Sequence, residues 1–147
     1  MILDERNEFC DATALNTGGA ASYLIGDVID LGAANAIGAL DDLWLVIQVD
    51  TTATSGGSAT GQFHLCSDAQ AAIATDGSAT YHYSTPAIAV ASLVAGLEVC
   101  AIQLPRGAYE RYIGILQTTG TAAFTAGKVN AFLTNEPTLV RAFPDAI

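Results

Sequence analysis

Three side chains carry most of the reactive chemistry in this sequence: His64, Cys66 and His82. A cysteine beside a histidine is the pattern of a thiolate nucleophile with its base. His64 and Cys66, two residues apart on one strand face, are close but poorly angled for that work. The same three residues suit zinc, but a closed site wants four ligands at recognisable spacing, and the fourth would have to come from far along the chain. The plainer expectation is a half-buried polar face or loop-proximal histidine, with Cys10, Cys66 and Cys100 as free thiols. Their odd number, wide spacing and lack of a C-x-x-C pair argue against a disulfide framework.

Other motifs fail on inspection. In Ala122–Val129, Ala122 stands where a phosphate loop needs its first glycine, and Val129 follows Lys128 where Ser or Thr is required. A hairpin turn with Gly127 ahead of a strand is expected instead. Asp41-Asp42 has no calcium loop around it and reads as a solvated turn. There is no G-x-S-x-G elbow, and nothing selects a carboxylate pair for glycoside hydrolysis. The expectation is a protein that is not an enzyme, with no catalytic residue, cofactor or metal.

The block Leu104-Pro105-Arg106-Gly107-Ala108-Tyr109-Glu110-Arg111-Tyr112 stands out differently. It holds two of the chain's five basic residues beside two tyrosines. Pro105 presets φ and Gly107 supplies a permissive backbone, so a turn between two strands is expected. Tyr109 and Tyr112 then cover the end of the fold, and Arg106 and Arg111 pair with acidic neighbours. Because Arg and Tyr are enriched in interface hot spots, Arg106, Tyr109 and Arg111 are also candidates for contact with a partner.

These residues must be positioned by strands. The chain has 147 residues, enough for one domain with a real core, and 51% of them are hydrophobic. Short runs bounded by Gly, Pro, Asp or Ser recur at 23–31, 43–50, 60–67, 80–84, 87–90, 97–104, 111–118 and 128–134. Within 60–67, Phe63 and Leu65 share one face while His64 and Cys66 share the other. In 43–50 both faces begin apolar, as in a sandwich strand whose outer side is covered at one end. About eight strands predict an all-β, antiparallel β-sandwich, a jelly roll, as a single domain over 1–147. Residues 68–74 and 35–40 are the helix candidates, the former capped by Asp68. Residues 1–14 show no clean period and read as an extended N-terminal arm. Residues 135–147 read as a C-terminal tail with exposed-looking Leu139, Val140, Phe143 and Ile147.

A formal net charge of −10 argues against nucleic acid and against anionic membrane surfaces. Residues 1–8 do not read as a secretory signal, and the longest apolar stretch, 87–97, is too short to span a bilayer. Use without secretion is expected.

Several collinear blocks resemble a family of tailed-phage capsid cement proteins, also called decoration proteins. They are Met1-Ile2-Leu3-Asp4, Val28–Gly32, Leu43–Asp50, Leu104–Gly107 with Glu110-Arg111-Tyr112, and Phe124–Gly127 with Ala131–Thr134. Each is short; their common order carries the resemblance. It implies a jelly roll on the outer surface of an icosahedral head, made in the host bacterial cytoplasm. Its implied partners are the phage major capsid protein and itself, as a dimer or trimer, with no catalytic residues to carry over. On that reading the terminal segments bridge neighbours, and the interface candidates become Ile2, Leu3, Phe9, Arg106, Tyr109, Arg111, Leu139, Val140 and Phe143. A carbohydrate-binding module on the same architecture is the alternative, weakened by a single tryptophan, Trp44. A small jelly-roll enzyme is the third reading, lacking a metal or carboxylate cluster.

Overall fold

A computed structural model describes residues 4–34 and 42–135. A 3-10 turn, Glu5–Asn7, leads into nine strands: β1 Glu8–Ala14, β2 Ala21–Asp30, β3 Trp44–Ser55, β4 Thr60–Asp68, β5 Thr80–Ser84, β6 Ile88–Ala89, β7 Glu98–Gln103, β8 Tyr112–Gly120 and β9 Phe124–Thr134. One sheet has the order β1-β9-β3-β7. The other has β2-β8-β4-β5, with the two-residue β6 also pairing β4. All pairings are antiparallel. The first four strands alternate between the sheets, and the later ones slot between and beside them. That interleaving of two Greek keys is the jelly roll expected from strand count and spacing.

Period-two alternation decides what each strand buries. Leu45, Ile47 and Val49 of β3, with their neighbours Leu133, Ala131 and Val129 of β9, face Phe63 and Leu65 of β4 and Ile113 and Ile115 of β8 in one core between the sheets. The opposite faces are not bare. Cys66 and Leu116 on the outside of the β2-β8-β4-β5 sheet are covered by Ile73 and Ala79 from the β4–β5 connection, forming a second small core. Gly114 allows this cover, because a Cβ there would lie 2.7 Å from Ile73 Cδ1. On the outside of the other sheet Val46 is also fully buried, as the apolar start of both faces of β3 predicts.

Three local expectations are corrected. Residues 8–14 are not a free arm; they form β1 and pair with β9. Residues 68–74 are not a helix. The Asp68 carboxylate accepts the N–H groups of Gln70 at 3.3 Å and Ala74 at 3.0 Å, and the backbone bends around it. Gly127 does not precede a strand but lies inside β9 with φ +134°, where a Cβ would come within 2.9 Å of Ala53 Cα. The second helix candidate, 35–40, lies outside the described residues.

Cys10, Cys66 and Cys100 are all free and buried. Burial pushes the thiols up, to about 12 for Cys10 and Cys66 and about 11 for Cys100. Thiolate is the reactive form, so the folded protein should resist a thiol reagent at neutral pH. We expect no fast reaction in native conditions and three reactive thiols after denaturation, checked by colorimetric titration. One fast-reacting thiol in the native protein would contradict the burial.

Candidate partner interface

One end of the sandwich gathers the unusual residues. There β2, β7 and β9 finish, β3 and β8 begin, and the 3-10 turn enters β1. The connection between β7 and β8, residues 104–111, crosses from one sheet to the other at this end. Its first residue is tied down by Leu104 N–H donating to Leu43 O at 2.9 Å. Tyr109 anchors its other half. The Tyr109 hydroxyl donates to Pro105 O at 2.6 Å, and its ring stacks on His82 with centroids 3.9 Å apart. Ser67 Oγ completes the anchor, 2.7 Å from His82 Nε2 and accepting Glu110 N–H at 3.2 Å.

This anchor corrects one interface candidate. Tyr109 is 2% exposed and closes the core, which is the covering role also anticipated for it; its ring is not available to a partner. Phe9 is corrected for the same reason: at 1% exposed it belongs to the central core. Arg106 is exposed on the turn, without an ion pair among the described residues. Ile2, Leu3, Leu139, Val140 and Phe143 lie outside the described residues.

Arg111 is exposed but held. Its Nε and Nη2 donate to Asp30 Oδ1 and Oδ2 at 2.8 and 2.9 Å, a bidentate pair, and its guanidinium sits 5.1 Å from the Tyr112 ring centroid. Leu31 N–H donates to Arg111 O at 2.8 Å, so backbone and side chain both join β2 to β8 here. The Arg111 guanidinium, helped by Gly32 N–H, pulls the Asp30 carboxyl down to about 2. A carboxyl whose folded pKa is depressed contributes above its unfolded value, near 4, and loses that contribution as pH falls through the folded value. The pair is solvent-screened, so the effect on stability is small. We expect the Asp30 carboxyl carbon to titrate near pH 2 by NMR, and to move toward the ordinary aspartate range in Arg111→Gln. An ordinary midpoint in the unaltered protein would mean the pair is not populated.

Beside Asp30 lies an open groove of about 370 Å³ lined by Glu5, Arg6, Glu8, Asp27, Val28, Ile29 and Asp30. A second, of about 340 Å³, shares Glu5, Glu8 and Asp27 and adds Asp11. Partial burial first, then Asp11, Glu5 and Asp4, raise the Glu8 carboxyl. Such a surface favours guanidinium or ammonium groups from a partner. Among the described residues no group of three or more His, Cys, Asp and Glu is placed to hold a metal ion.

The histidines and Cys66 do not meet as a reactive set. His64 lies on the outer face between Ser84 Oγ at 2.6 Å and Thr118 Oγ1 at 3.0 Å, while His82 faces inward against Tyr109. Burial lowers the pKa of both. Ser67 and His82 resemble a hydroxyl–imidazole pair, but Ser67 is fully buried and a substrate has no access to it. The groove residues Asp30, Asp27, Glu5 and Glu8 were not candidates from sequence: Glu5 and Glu8 belong to the acidic start of the chain, and Asp27 and Asp30 come from β2, so only the fold brings them together.

A family model described as Bbp16 matches residues 9–133. The chain belongs to the Bbp16 family. The match runs from β1 to within one residue of the end of β9, so the family unit of this Bbp16 member is the whole jelly roll. No curated protein matches the chain. Within this Bbp16 member, most of the sequence blocks singled out above lie at the end just described. Val28–Gly32 and Glu110-Arg111-Tyr112 are joined by the Asp30–Arg111 pair. Leu43–Asp50 is joined to Leu104 and, through the Trp44–Thr134 register, to Ala131–Thr134. Phe124–Gly127 lies at the opposite end of β9.

Proposed function

We propose that this protein is a structural virion protein that binds the outside of an icosahedral phage capsid and cements neighbouring major capsid protein subunits. It would do so as a small homo-oligomer. The observation that carries the reading is the convergence of the cement-protein-like blocks. All but Phe124–Gly127 and the opening residues, which lie elsewhere or outside the described residues, meet at one end of the jelly roll through a bidentate ion pair and strand pairing. An acidic groove and the exposed Arg106 lie in or beside those blocks and offer a charged contact surface. The tight core suits a brace: a jelly roll with most apolar residues locked between two sheets transmits load without changing shape.

The mechanism follows from linkage. A protein that binds the intact shell and not its separated parts stabilises the shell by mass action, and many symmetric copies make the effect collective. Packaged DNA then has to break these contacts as well as those within the shell.

The test is binding to expanded cognate capsids stripped of this protein, followed by heating. Saturable binding at a fixed copy number with a raised disruption temperature is the expected result; no binding would sink the reading. Arg106→Glu should weaken binding while leaving the unfolding midpoint unchanged. The carbohydrate-binding alternative has no observation of its own in its favour. Tyr81, at 40% exposed, is the large exposed aromatic among the described residues and has no coplanar row beside it.

A further inference from the structure

We infer that the edge of β7, which no described strand covers, is the seam of a two-fold homodimer, in which the β1-β9-β3-β7 sheets of two copies join into one. The inference supplies a contact for the oligomer proposed above. Self-association and capsid binding are measured separately, so either can fail alone.

Among the described residues the sandwich has four sheet edges: β1, β7, β2 and β5. An open edge is a template for another strand, and edges are normally blunted by charge, bulges or proline. Three of the four are blunted. β1 carries Glu8 and Asp11, has two register shifts and holds Ala12 at φ +45°. β2 carries Asp27 and Asp30 around a bulge with Gly26 at φ +69°. β5 has five residues, slips register at His82 and runs into Thr85-Pro86. β7 is different. Its irregularity is confined to Val99, after which Cys100, Ala101, Ile102 and Gln103 pair in regular register with β3 and carry no charge.

The ladder fixes which groups point outward. Leu104 N–H donates to Leu43 O, and in an antiparallel pair the bonded residues alternate. Cys100 and Ile102 therefore bond to β3, and the N–H and C=O groups of Ala101 and Gln103 point away from it. No described strand takes them. A second copy related by a two-fold axis through Ala101 satisfies these groups. Ala101 meets its own counterpart, Val99 falls opposite Gln103, and Cys100 falls opposite Ile102. The smallest side chain of the set lies on the axis, where identical residues must approach. No like charges face each other, since Glu98 falls opposite Leu104. With a net charge of −10, two copies repel over most of their surfaces, so a charge-poor edge is where they can meet. Raising ionic strength should strengthen the contact.

The experiment is analytical ultracentrifugation of the full chain at low and high salt, with amide hydrogen exchange. A dimer is expected, tightened by salt, with protected Ala101 and Gln103 amides. Ala101→Pro removes an outward N–H and leaves the β3 ladder intact. Ala101→Glu puts two like charges on the axis. Either should weaken self-association by about tenfold or more, with an unchanged circular dichroism spectrum. A monomer, a dimer indifferent to both substitutions, or an edge taken only by a different protein would overturn the inference.

Discussion

Replacing Phe9 by alanine should cost about 3–5 kcal/mol of folding stability, the range for emptying a buried aromatic site. For a chain of this size each kcal/mol moves the unfolding midpoint by roughly 3 °C, so a fall of about ten degrees is expected in a thermal melt. The reason is position. Phe9 is 1% exposed and packs in the core shared by both sheets, on a strand that closes one side of the sandwich. The Phe9→Ala protein that remains folded should bind its partner with unchanged stoichiometry, because no Phe9 surface is offered outward. A variant with full stability and lost binding would reverse this assignment and restore Phe9 to an interface.

Gly26→Ala should be comparably damaging, by about 3 kcal/mol, for a different reason. Gly26 has φ +69°, a conformation that costs an L-residue roughly 1–2 kcal/mol. Its missing Cβ also makes room for a neighbour. A methyl there would run into the Phe9 carbonyl oxygen and come within 2.5 Å of Cys10 Sγ. The oxygen is backbone, so β1 itself must move. Gly32 is the control: it has φ +80°, but a Cβ there meets nothing within 4 Å. Gly32→Ala therefore measures the conformational cost alone, and the excess loss in Gly26→Ala measures the contact with β1. Equal denaturation midpoints for the two variants would mean that β1 does not lie against the β2 bulge. The same bulge carries Asp27, which lines the acidic groove.

Both positions lie where the sequence was hardest to read. β3, β4 and β8 were legible as strands, and in β3 and β4 the residues sharing a face were legible too, although all three strands are buried on both faces along part of their length. A period of two is a local property and survives any arrangement of the sheets. β1 was not legible because its buried residues are few and adjacent, Phe9 and Cys10 at 1% and 2%, with no longer apolar run around them. The register shift between Glu8 and Cys10 breaks the alternation there, so an integral strand reads as an arm. Residues 68–74 looked helical from alanine content and a capping aspartate. In the fold that aspartate serves a bend, and the apolar residues of the segment cover Cys66 and Leu116. Packing on the sheet outweighs a weak local preference.

The interface candidates divide in the same way. The sequence by itself determined that 104–111 is a turn with two arginines and a tyrosine, because proline and glycine act through their own backbone geometry. It also determined an all-β sandwich and an acidic surface, which depend on pattern and composition. Only the tertiary structure decided that Tyr109 turns inward onto His82 while Arg106 stays out. It alone selected Asp30, out of fifteen acidic residues, as the partner of Arg111. In a jelly roll nearly every stabilising contact joins residues far apart in the chain, so pairing is fixed by strand order and register, which no local window contains.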